Sequence, residues 1–249
     1  MLWDLQQRAE KPDVTLPRQI RFVTADDYPP FNFILPDGTL SGFNVDLARA
    51  LCNELALPCS IQVRRFDLVA NSLRDRSSDA VIASLSSRGS FAEGLAFTAP
   101  YYRTPGRFVG RVDGSAPEPS PESTKNLAIG VRLGSAHEAF LRAAFPQARV
   151  VPYDGDLALR SALRAKDVPL IFGDSITLGL WLNGSEAAGC CMFRGGPYLD
   201  ERFFGPGIGI ALRQDNRNLR RLLDYALKRV AERGVYAELY LKYFPPGVF

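Results

Sequence analysis

A chain of 249 residues can bury a substantial core and exceeds the usual single-domain size, so two lobes are the starting expectation. With 46% hydrophobic and 23% charged residues its composition is that of an ordinary globular protein, which speaks against disorder, and no apolar run approaches the roughly 20 residues of a membrane span. The net charge of +3 comes from interspersed acids and bases, so the basic stripe of a nucleic-acid binder is missing and no nucleic-acid partner is expected.

In chain order, residues 1–17 read as a loosely held arm, charged and Pro-punctuated, without the continuous apolar core of a signal peptide. The apolar run 20–23 reads as a buried strand. Pro29-Pro30 forbids both helix and central strand, which puts Tyr28 on a loop just past the strand end, where parallel sheets bind ligands. Leu47, Ala48, Leu51 and Leu55 make a helical stripe over 46–55, and 60–63 is a second strand. Cys52 and Cys59 bracket the helix end and a Pro-marked loop, a spacing that lets their side chains meet; bonded, they would add about 2.5 kcal/mol, and otherwise they are two buried thiols. A helix over 66–73, a strand over 79–83 and a polar, Gly-broken loop over 84–94 complete a first α/β lobe.

The same pattern returns at an offset of roughly 90 residues, with Asp67-Leu68 echoed by Asp156-Leu157 and Ser72-Leu73-Arg74 by Ser161-Ala162-Leu163-Arg164. A strand over 127–131 leads through Arg132-Leu133-Gly134-Ser135 into a helix over 136–144, as a second α/β lobe would begin. Its single histidine, His137, is expected on the helix surface; with four cysteines in two unlike pairs, no metal or cofactor site is expected. Asp174 ends an apolar strand, where a buried carboxylate needs a partner: either a ligand or the first amides of a helix over 176–182. Cys190-Cys191 are adjacent, a bond between neighbours is strained, and two free thiols are expected. Helices over 218–233 and 235–243 close the chain. The expected division is an arm 1–17, lobe 1 over 18–102 plus 209–249, lobe 2 over 107–204, and hinge segments 103–106 and 205–208.

Taken together, Tyr28-Pro29-Pro30-Phe31, Gly42-Phe43-Asn44-Val45-Asp46-Leu47-Ala48, Asp79-Ala80-Val81-Ile82, Phe97-Thr98-Ala99-Pro100-Tyr101-Tyr102, Gly173-Asp174 and Gly234-Val235-Tyr236 resemble family-3 extracellular solute-binding proteins. These are type II periplasmic receptors that deliver polar amino acids to ABC importers. The Cys52 and Cys59 spacing and the run Phe193-Arg194-Gly195-Gly196-Pro197 look closest to the histidine and lysine/arginine/ornithine binders, a subgroup with a disulfide at the equivalent place.

The resemblance implies two α/β lobes joined by two hinge strands that close over a small-molecule ligand, with a membrane permease as partner, no cofactor and a monomeric receptor. Carried over by position, Tyr28 and Phe66 match the pair that sandwiches the ligand, and Ser84 and Ser86, with Leu85 between them, match first-lobe groups that hold its amino and carboxylate ends. Ser135 with the amide of Ala136 matches the second-lobe carboxylate contact at a helix N-terminus, and Asp174 matches the acid for the α-ammonium. Phe91 stands where the family has its carboxylate-binding arginine, and Arg88 three residues earlier is the candidate substitute. Ala25 stands where basic-amino-acid binders have an acid, which argues against lysine or arginine; Arg132 stands where glutamine-binding relatives have a lysine, which suggests a polar or anionic side chain. The resemblance also implies export, with the leader removed from this chain. The alternatives are a ligand-sensing domain of a membrane receptor and a dehydratase on the same fold, for which one histidine and Glu93 offer little acid-base chemistry.

Overall fold

The computed structural model describes residues 10–85, 87, 92–114 and 116–244. These fall into two compact units, one running up to Arg103 and resuming over Pro206–Phe244, the other spanning Thr104–Gly205.

The first unit opens with β1 (Ile20–Thr24), the apolar run expected as a strand. A small antiparallel sheet follows, made of β2 (Asp27–Tyr28), β3 (Asn32–Ile34) and β4 (Leu40–Ser41). Tyr28 therefore lies in a two-residue strand opposite Asn32 and not on a free loop. The prolines occupy the turn, closed by Phe31 N–H donating to the Tyr28 carbonyl at 2.9 Å, where no ladder bond is asked of them. Helix α1 (Phe43–Leu55) starts after Gly42, whose φ of 130° and contact with the Phe31 carbonyl leave no room for a Cβ. Next come β5 (Cys59–Val63), a 3₁₀ turn (Phe66–Leu68) running into α2 (Val69–Arg74), β6 (Ala80–Val81) and β7 (Leu95–Phe97).

The chain returns to this unit with β13 (Ala211–Arg213), α7 (Arg217–Glu232) and α8 (Val235–Tyr243). The sheet order is β5-β1-β6-β13-β7, with β5, β1 and β6 parallel and β13 antiparallel to both neighbours. Val23, Val69, Leu73, Val81 and Ala211 form a buried cluster there, while α7 and α8 pack on α1. Asp46 on α1 accepts from Lys242 Nζ and Tyr243 Oη of α8, both at 2.6 Å, and from Arg49 at 2.8 Å. Burial alone would raise the Asp46 carboxyl; these three donors outweigh it and hold the group below the ordinary carboxylate value. Cys52 and Cys59 are bonded, tying the last turn of α1 to the start of β5 across a Cα separation of 6.1 Å.

The second unit contains β8 (Gly106–Arg111), β9 (Ala128–Arg132), α3 (Ala136–Ala144), β10 (Arg149–Tyr153), α4 (Asp156–Ala165), β11 (Leu170–Asp174), α5 (Ser175–Leu182), β12 (Cys191–Tyr198) and the short α6 (Glu201–Phe204). Its sheet runs β10-β9-β11-β8-β12, with β10, β9 and β11 parallel. Side-chain alternation along the strands puts Phe108, Leu170 and Phe172 in one core cluster with Phe140 and Leu141, and Val109 and Ile171 in the other with Leu159, Leu163 and Trp181. Helices therefore cover both faces, the doubly wound arrangement that parallel strands require.

Cys190 and Cys191 are joined to each other, against the expectation of free thiols. Cys190 N–H donates to the Ala187 carbonyl and its own carbonyl accepts from Val112, so the backbone around the pair is fixed on both sides where β12 begins.

Candidate functional site

In the second unit the carboxyl ends of β9 and β11 frame a cavity of about 280 Å³. Strand order makes this the place: the chain leaves β9 through α3 for β10 on one side and leaves β11 through α5 for β12 on the other, so the connections diverge and leave a crevice. Arg132 ends β9, Gly134 turns the chain with φ 69°, and Ser135 caps α3. The Ser135 hydroxyl accepts from Glu138 N–H at 3.1 Å and donates to the Arg132 carbonyl at 2.7 Å, while Glu138 accepts from Gly134 N–H at 2.8 Å. This capping box satisfies part of the helix start. The amides of Ala136 and His137 fall in the first turn, where an α-helix supplies no acceptor of its own, and the helix dipole favours an anion beside them.

Asp174 ends β11 and caps α5, accepting from Thr177 N–H at 2.8 Å. The N-cap role weighed from the sequence is thus present, and it uses one carboxylate oxygen. Arg132 Nη1 stands 3.8 Å from Asp156 at the start of α4. Arg132, Ser135, Asp156 and Asp174 all line the cavity, which brings two carboxylates, a guanidinium and a helix N-terminus to one place. Chemically it can hold a zwitterion, with acceptors for an ammonium and donors for a carboxylate.

His137 also lines the cavity, so it is not the helix-surface residue expected. Its ring sits 5.0 Å from that of Phe204 and 5.8 Å from that of Phe172, and its Nε2 is buried without a hydrogen-bond partner. Burial pushes the imidazole below its ordinary value, against the opposing pull of Asp174 and Asp156. The sequence did carry a signal: His137 lies three and four residues before Phe140 and Leu141, on the helix face that packs inward.

In the first unit Tyr28 is 49% exposed and stacks on Phe31 with ring centres 5.1 Å apart and planes 9° from parallel. Phe66, at the start of the 3₁₀ turn, is 41% exposed. Ser84 follows β6 in a left-handed conformation with φ 59°. Leu85 is 3% exposed, its side chain in the cluster with Val69 and Leu73, which leaves only its backbone to face a ligand. Ser86, Arg88 and Phe91 lie outside the described residues. Ala25 is wholly buried.

Residues 20–246 match the model of the bacterial extracellular solute-binding proteins, family 3. The chain is 30% identical over 240 residues to an L-arginine-binding protein of Pseudomonas aeruginosa, covering 96% of this chain and 92% of that one. It is 30% identical over 236 residues to the histidine-binding periplasmic protein of Escherichia coli, covering 94% and 90%. Among solved structures, the L-cystine solute receptor of Neisseria gonorrhoeae in its unliganded open conformation aligns with a TM-score of 0.79 at 18% identity, covering 91% of this chain and 92% of that one. Among the described residues no helix is long and apolar enough to cross a membrane. With its two α/β units on the type II periplasmic-binding fold, the chain belongs to the bacterial extracellular solute-binding proteins of family 3.

Proposed function

We propose that this protein is the periplasmic receptor of an ABC importer, binding a polar or acidic amino acid or a related carboxylate without chemical conversion. The observation that carries the reading is the cavity at the ends of β9 and β11, lined by Asp174 together with the start of α3 and Arg132. Asp174 takes the α-ammonium, and the α3 amides with Ser135 and Ala136 take the carboxylate. Tyr28 and Phe66 supply apolar walls, and Ser84, the Leu85 backbone, Ser86 and Arg88 add polar contacts from the first lobe. Segments 103–106 and 205–208 are the hinges, and closure is favoured by the ligand's higher affinity for the closed state. The bonded Cys52 and Cys59 fit an oxidising compartment. The relatives named above carry arginine and histidine in their names. Here Arg132 beside Asp156 offsets one of the cavity's two negative charges, which favours a polar or acidic side chain over a cationic one.

The test is a thermal-shift panel of the twenty L-amino acids and small organic acids on protein unfolded and refolded to strip carried-over ligand. A ligand at about 1,000 times its Kd adds about 4 kcal/mol, or about 10 °C at this chain length. A shift with glutamine or glutamate supports the reading. A shift with arginine or histidine alone overturns the assignment of Arg132, and no shift with any amino acid overturns the amino-acid reading.

A further inference from the structure

The start of α1 holds a buried polar cluster that the binding reading does not yet use. The amides of Phe43 and Asn44 donate to the carbonyls of Pro30 and Phe31 at 2.9 and 2.8 Å, so the helix start is filled by its own chain and is no anion site. The Asn44 side chain, wholly buried, is free to turn inward. Its Nδ2 donates to Asn32 Oδ1 at 2.8 Å and to Ser84 Oγ at 3.0 Å, and its Oδ1 accepts from Tyr101 Oη at 2.8 Å. Both amide donors are thereby committed. Tyr101 is a permanent donor, because complete burial pushes its hydroxyl far above the ordinary phenol range, and Ser84 also lies within hydrogen-bonding reach of it. Asn32 Nδ2 is buried in the cluster without a partner.

Ser84 is where this cluster reaches the end of the parallel strands. Thr24 Oγ1 at the end of β1 donates to the Ile82 carbonyl at 2.7 Å, fixing the chain two residues before it. A non-glycine residue in the left-handed region is held there only when its surroundings over-determine it.

We infer that Asn44 is a positioning residue of the ligand site, acting through Ser84: with Tyr101 behind it, it holds Ser84 in the strained conformation in which it meets the ligand. The inference rests on the receptor reading, and its test separates the two. Binding of L-glutamine, L-glutamate, L-arginine and L-histidine is measured by titration calorimetry on the parent protein, Asn44→Ala, Ser84→Ala and the double variant. Asn44→Ala is expected to weaken the best of these ligands about tenfold with Ser84 present and less than about twofold in the Ser84→Ala background. Equal weakening in both backgrounds, or none in either, overturns the inference while leaving the receptor reading intact. Where the thermal-shift panel returns another amino acid or carboxylate, that ligand takes their place in the cycle, and a parent protein that binds no member of the panel overturns both. Should Asn44→Ala fail to fold, Tyr101→Phe keeps the ring, removes the donor behind Asn44 and runs the same cycle, with about threefold weakening expected only when Ser84 is present.

Discussion

Asp174 caps α5, the proposed function gives it the ligand's ammonium as well, and two substitutions separate the roles. Asp174→Asn keeps an oxygen for Thr177 N–H, and asparagine serves about as well as aspartate at an N-cap, so stability should change by at most about 0.5 kcal/mol. Asp174→Ala removes the cap and should cost about 1 kcal/mol, or about 2–4 °C in Tm at this size. Both remove the charge proposed to meet the α-ammonium. A hydrogen bond to a charged group contributes about 1.5–3 kcal/mol, and leaving a desolvated ammonium unpaired raises the loss to about 2–5 kcal/mol. At about 1.4 kcal/mol per factor of ten, affinity should fall about 30-fold or more. Calorimetric titration with the amino acid found in the panel, alongside thermal unfolding, reads both effects. The expected outcome is an Asn variant that melts with the parent and binds far more weakly. If that variant binds as the parent does while the Ala variant is destabilised, Asp174 only caps α5 and the ammonium assignment is refuted.

Three further outcomes follow from the same geometry. His137 has a folded pKa below its unfolded value near 6.5, so the unfolded chain binds the extra proton: stability is fully present above about pH 6.5 and lost as pH falls through the folded value. Urea unfolding between pH 7.5 and 5 should show this slope in the parent and a flatter one in His137→Gln, while equal slopes would remove His137 from the account. Arg132→Ala should weaken an acidic ligand and strengthen a cationic one, because Asp156 loses its partner; titration with glutamate and arginine checks the opposite signs. Replacing Cys52 and Cys59 together by serine should cost about 2–3 kcal/mol in denaturant unfolding with ligand affinity unchanged, and a change in affinity would mean that the bond does more than tie α1 to β5.

The sequence was most legible where burial forces a pattern. The apolar runs of β1, β9 and β11 and the helical stripe of α1 lie where periodicity puts them, because a strand or helix packed on a core has few alternatives. Arg132, Ser135 and Asp174 are far apart in sequence but each follows or ends a parallel strand, and strand order alone gathers them around one cavity. What escaped had a local cause. Tyr28 belongs to a two-residue strand, too short for any period to register. His137, expected on the helix surface, lies on the inward face that its spacing to Phe140 marks. The Cys190 and Cys191 bond runs against the expectation drawn from strain between neighbours, a rule that says nothing of the backbone around the pair. Asp156 gave no signal, since its approach to Arg132 depends on where α4 begins relative to β9.

The place of β13 in its sheet has a consequence for how the chain becomes a protein. β13 lies between β6 and β7 and, among the described residues, is the strand that pairs with β7, yet it begins at Ala211, after the whole of the second unit. Until that residue is available, the first lobe is a parallel β5-β1-β6 sheet whose β6 edge is open as well as its β5 edge, and α1 lacks the helices that cover it. The second lobe, continuous from Thr104 to Gly205, has no such wait. A chain emerging from its N-terminus therefore finishes its middle first and its beginning last, and the unpaired edge of β6 is the surface exposed in the interval.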